Sequence, residues 1–103
     1  MKKVIHLTDL QKLQAQDSFA GRPNEKDGII LFEVTGKFEN GFEMDIQIPN
    51  CRDTESNGNE NYFNIVLFSE HGEELGCDVG DIGEIEGEYT VYDGNTDYTV
   101  VLE

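Results

Sequence analysis

The spacing of apolar and polar residues changes once along this chain. Near the start it suits a helix. Thr8 or Asp9 can cap a run from Leu10 to about Ala20, with Leu10, Leu13 and Phe19 on one side and Gln11, Lys12, Gln14 and Gln16 on the other. Residues 18–28, containing Gly21-Arg22-Pro23-Asn24, read as a connector. From Gly28 onward the period is two. Ile30, Phe32 and Val34 alternate with Leu31, Glu33 and Thr35, and Phe42-Glu43-Met44-Asp45-Ile46-Gln47-Ile48 alternates without a break. The two runs predict a hairpin turning at Asn40-Gly41, with Phe42, Met44, Ile46 and Ile48 facing inward.

Pro49 closes that second strand, and residues 50–61 form a polar stretch rich in Asn, Ser, Glu and Gly. Tyr62-Phe63-Asn64-Ile65-Val66-Leu67-Phe68 is apolar on both sides of its alternation, as a strand covered on both faces would be. Ser69 to Gly80, with its glycines and acids, predicts no more than one or two irregular helical turns. A last hairpin joins Ile82–Tyr92 to Asp97–Glu103 through Asp93-Gly94-Asn95-Thr96. The expected architecture is all-β with a short N-terminal helix: an extension at residues 1–27, then a five-stranded antiparallel body at residues 28–103. One core suffices for 103 residues, 37% of them hydrophobic.

Charge alters this picture more than composition does. With 22 acidic and 7 basic side chains the chain carries −15, and the imbalance is uneven: residues 1–27 sum to +1 and residues 28–103 to −16. Such a body repels nucleic-acid phosphates and anionic lipid and attracts basic protein surfaces. A charged shell kept for solubility would have the same composition. The apolar run at Val4-Ile5-His6-Leu7 is too short for a signal segment or a membrane span, and Cys51 and Cys77 have no metal-ligand spacing. Unpaired thiols in a cytoplasmic protein are the expectation.

Two rows of carboxylates stand out. On the expected fourth strand Glu84, Glu86 and Glu88 share a face, with successive groups ~6.6 Å apart, and Glu43 and Asp45 do the same on the second strand. That spacing is of the order of the gap between phosphates on a nucleic-acid strand. It points to a protein that occupies a basic, nucleic-acid-binding surface on a partner, similar in kind to the acidic inhibitors of phages and mobile elements. Alternation alone also places polar residues on any solvated strand face.

Catalysis finds little support. His6 and His71 are far apart, Ser18, Ser56 and Ser69 lie in polar segments without a nucleophile elbow, and the glycines at 76, 80, 83 and 87 open no helix that could cradle phosphate. Asp53-Thr54-Glu55-Ser56-Asn57-Gly58 has the first half of a calcium loop, but Asn64 stands where a bidentate Glu is wanted. No enzyme, cofactor or metal is expected.

The phrase Val79-Gly80-Asp81-Ile82-Gly83-Glu84-Ile85-Glu86-Gly87-Glu88-Tyr89, following Asn64-Ile65-Val66-Leu67-Phe68, resembles the oligonucleotide/oligosaccharide-binding (OB) fold, where a V-G-D-x-x-x-x-x-G stretch commonly opens the fourth strand. An SH3-like barrel or a small β-sandwich would space its strands in the same way. The resemblance implies a five-stranded barrel over residues 28–103 and a ligand face on strands two and three, flanked by Glu39-Asn40-Gly41 and Asp93-Gly94-Asn95-Thr96. Under it, an alternative role as a single-stranded nucleic-acid-binding or replication accessory module would use Lys37 with the rings of Tyr62, Phe63, Tyr92 and Tyr98. The chain departs from the nucleic-acid binders of that superfamily in its cations, since only Lys37 stands near the expected face. A structural or assembly role is the third possibility.

Overall fold

The computed structural model describes residues 1–22, 28–50 and 62–103. Its elements run β1 (Lys2–Ile5), α1 (Asp9–Phe19), β2 (Ile30–Lys37), β3 (Glu43–Pro49), β4 (Tyr62–Phe68), β5 (Glu74–Asp81), a 3₁₀ turn η1 (Ile82–Glu84), β6 (Gly87–Tyr92) and β7 (Asp97–Leu102). The chain is mostly β with one short helix, as its periodicity predicts.

The strands form two sheets. One is an antiparallel meander in the order β2-β3-β4-β5, and the other has the order β1-β7-β6 with β1 parallel to β7. Their inner faces pack on each other. Met44, Ile46 and Ile48 of β3 and Phe63, Ile65 and Leu67 of β4 meet Val91, Tyr98, Val100 and Leu102, all buried, and Phe42 packs partly buried against the same core. The sheets also meet along both flanks, β1 against β2 and β5 against β6. At the first flank Gly36 admits Ile5 and Lys3, whose side chains would lie 3.0 and 3.2 Å from a Cβ placed there. Among the described residues no ladder joins the sheets along either flank, so neither is closed into the expected five-stranded barrel.

Three expectations about the elements are corrected. Glu74–Asp81 is a strand, although its glycines and acids read as irregular; its register with β4, from Tyr62↔Asp81 to Phe68↔Glu74, supplies the order its own residues lack. Val79-Gly80-Asp81 therefore ends a strand and does not open one. Residues 1–27 are not simply an extension, because Lys2–Ile5 pairs with Thr99–Leu102 and completes the second sheet.

The helix starts where the sequence places it. Thr8 is its N-cap, accepting from Gln11 N–H, while the Gln11 side chain accepts from Thr8 N–H at 3.0 Å; the two bonds satisfy two otherwise orphaned donors. Its packing side differs from expectation: Ala15 and Ser18 are buried, whereas Leu10 and Leu13 are 63% and 52% exposed. A small face lets the helix lie close to η1 and β3, and Ser18 Oγ donates to the Pro49 carbonyl at 2.7 Å.

Candidate protein-binding face

The outer face of the meander is built by the alternation of β3. With Met44, Ile46 and Ile48 turned to the core, Glu43, Asp45 and Gln47 turn outward. Register sets their neighbours: Lys37, Glu43 and Phe68 form one row, Thr35, Asp45, Val66 and Cys77 the next, and Glu33, Gln47, Asn64 and Val79 a third. The face thus has two halves. The β2–β3 half is polar and acidic, and Lys37 is the only Lys or Arg of the four strands. The β4–β5 half presents Tyr62, Val66, Phe68, Cys77 and Val79 around Asn64, with Glu74 and Asp81 at its ends and with Tyr62 52% and Val79 57% exposed. Asp45 is held in place: Gln47 Nε2 donates to Oδ2 at 3.0 Å and Thr35 Oγ1 to Oδ1 at 3.5 Å.

Glu43 and Asp45 therefore share a face as expected. Glu84, Glu86 and Glu88 do not form a strand row. The Asp81 carboxylate accepts from Gly83 N–H at 2.8 Å and caps η1, so Glu84 sits in a 3₁₀ turn, Glu86 in the link after it and Glu88 on β6. The overlooked signal is the pair Ile82 and Ile85, both buried and three residues apart, the spacing of one 3₁₀ turn and not of a strand. Tyr89 Oη reaches the carbonyls of Glu84 (2.8 Å) and Ile85 (2.9 Å) and fixes the link. Burial raises the phenol's pKa above its usual 10.0, with the Asp81 and Glu84 carboxylates adding to the shift.

Two of these glutamates are already engaged. Glu86 pairs with Lys12 at 2.9 Å across an open groove of about 400 Å³ between α1 and η1, and Glu88 pairs with Lys2 at 3.0 Å. The hydrogen bond to Glu86 is the main reason Lys12 titrates above its usual 10.5.

The residues of the alternative role are scattered. Lys37 and Tyr62 share the outer face but lie at opposite ends of it, about 20 Å apart along the strands. Phe63 is buried, its ring edge-on to Tyr89 at 5.2 Å. Tyr98 is buried between Phe38 and Phe42, accepting from Asn40 Nδ2 at 2.9 Å. Tyr92 is exposed on the other sheet.

Among the described residues no group of three or more His, Cys, Asp or Glu stands close enough to hold a metal ion, and no helix is long and apolar enough to cross a membrane. Cys77 is a free, exposed thiol. Cys51 and the calcium-like stretch Asp53–Gly58 lie outside the described residues. His6 stands beside Glu103 and His71 beside Glu70, each at 3.5 Å and exposed, at opposite poles of the molecule. No family model matches the chain, and neither a curated protein nor a solved structure matches it.

Proposed function

We propose that this protein is a non-enzymatic acidic binding protein that occupies a basic, nucleic-acid-binding surface of another protein, in the manner of a phage or mobile-element inhibitor. The observation that carries the reading is where the chain's few cations go. Lys2, Lys12 and Arg22 are spent on Glu88, Glu86 and Asp17. Glu43 and Asp45 on the meander, and Glu39, Glu73, Asp93 and Asp97 around the three turns at one pole, make no ion pair with Lys or Arg among the described residues. Among the described residues Lys37, in register beside Glu43, and the N-terminal ammonium on the Asp97 carbonyl are the cations placed at this surface, fewer than its carboxylates. Its net field is therefore negative, which favours fast encounter with a basic partner and repels phosphate.

A test uses an arginine-rich peptide and a single-stranded oligonucleotide as probes. The peptide should bind with an affinity that falls steeply as salt rises, and the protein should strip the oligonucleotide from it. A direct gel shift of the oligonucleotide at low salt would overturn the reading. It would favour the alternative, an OB-type single-stranded nucleic-acid module. The one observation that favours that second reading is the exposure of the Tyr62 ring on the outer face of the meander.

A further inference from the structure

We propose that the outer face of β3, β4 and β5 docks an amphipathic basic segment of another protein, its apolar side chains on Tyr62, Val66, Phe68 and Val79 and its Lys or Arg groups on Glu43 and Asp45. The inference rests on the reading of the protein as a binder of basic protein surfaces and assigns the place of contact.

β4 carries apolar side chains on both faces, Asn64 apart, and its inner side chains Phe63, Ile65 and Leu67 fill the core. An antiparallel sheet that turns one face to water carries polar side chains there. Here the water side of β4 and β5 carries Tyr62, Val66, Phe68, Cys77 and Val79, with Asn64 between Tyr62 and Val66 and the acids Glu74 and Asp81 at its two ends, and no described element packs over it. An apolar strip of this kind, rimmed by polar groups, marks a contact surface.

Charge selects the occupant. Glu43 and Asp45 lie one strand away from Phe68 and Val66, about 4.8 Å across the ladder. The Gln47 and Thr35 hydrogen bonds keep the Asp45 carboxylate oriented before any partner arrives. A second copy of this chain brings another −15, and nucleic acid or anionic lipid brings phosphate, so each meets repulsion at this rim. A segment with apolar groups on one side and cations on the other meets attraction at both halves.

Two peptides of equal length and positive charge test the assignment by ¹⁵N-NMR titration: an amphipathic Lys/Leu peptide and a Lys/Gly peptide without an apolar side. The Lys/Leu peptide should bind more tightly and shift the amides of Val66, Phe68, Cys77, Val79, Glu43 and Asp45. The double variant Tyr62→Ser/Val79→Ser, altered only at exposed positions, should lose about tenfold in affinity for Lys/Leu and nothing for Lys/Gly. Glu43→Gln/Asp45→Asn should weaken both. Shifts confined to the turn pole or to Glu84–Glu88, or a double variant that binds Lys/Leu like the parent, would overturn the docking face and leave the basic-partner reading standing. Binding of neither peptide would overturn both. Self-association abolished by Tyr62→Ser/Val79→Ser, or an oligonucleotide that shifts the same amides, would assign the face to a second copy or to nucleic acid and sink the proposal.

Discussion

Lys12 of the helix holds Glu86 of the η1–β6 link at 2.9 Å, an ion pair that ties α1 to that link at the surface. Because Glu86 raises the pKa of Lys12 above 10.5, the pair's contribution is fully present below that pH and is lost as pH rises through the folded-state value. Tyr89 has the same sign: its pKa lies above 10.0 in the folded protein, so folding favours the neutral phenol and weakens as pH climbs past 10.0. Urea unfolding of the parent and of Lys12→Met at pH 8 and pH 11 should show the gap between them narrowing at the higher pH. An unchanged gap would mean that the pair does not titrate with folding.

The Phe63 ring lies against the backbone of Gly80, where a Cβ would stand 2.6 Å from Cε1 and 2.9 Å from Cε2. Gly80→Ala should destabilise the fold by about 1–3 kcal/mol, the usual cost of overpacking a filled core. The cost should shrink when Phe63→Leu is made as well, giving a non-additive double-mutant cycle in chemical denaturation.

Ser18 is buried with its hydroxyl on the Pro49 carbonyl. Replacing it with Ala leaves that acceptor short of a partner at the joint between α1 and β3, and should cost about 1–3 kcal/mol in the same assay. Ser18→Thr keeps the hydroxyl but adds a methyl at a close contact, so partial recovery is expected. A neutral Ser18→Ala would show that the helix docks without this bond.

Asp93 opens the β6–β7 turn, its Oδ1 accepting from Asn95 N–H at 2.8 Å and Thr96 N–H at 2.7 Å. The Thr96 and Asn95 amides hold its pKa below the usual 3.8. A depressed carboxylate stabilises the fold above its unfolded pKa and loses that contribution as pH falls through the folded value. Asp93→Asn should therefore be less stable than the parent at neutral pH, and the difference should fade below about pH 3.8, measured by thermal melts across the acid range.

The sequence by itself determined the helix start at Thr8, the hairpin through Asn40-Gly41, the inward set Met44, Ile46 and Ile48, and hence the outward pair Glu43 and Asp45. Each follows from nearest-neighbour chemistry: a hydroxyl that caps, a glycine at positive φ, a strict alternation. Tertiary contacts decided the rest. Glu74–Asp81 became a strand through pairing with β4, and Lys2–Ile5 did so by lying beside β7, partners about 97 residues away that no local pattern reveals. Glu84, Glu86 and Glu88 alternate in sequence but not in space, because burying Ile82 and Ile85 together needs a 3₁₀ turn. The helix buried Ala15 and Ser18 and not its leucines, since only small side chains allow its close approach to the sheet. Period reports which residues can share a face; which face is covered depends on what the folded chain brings against it.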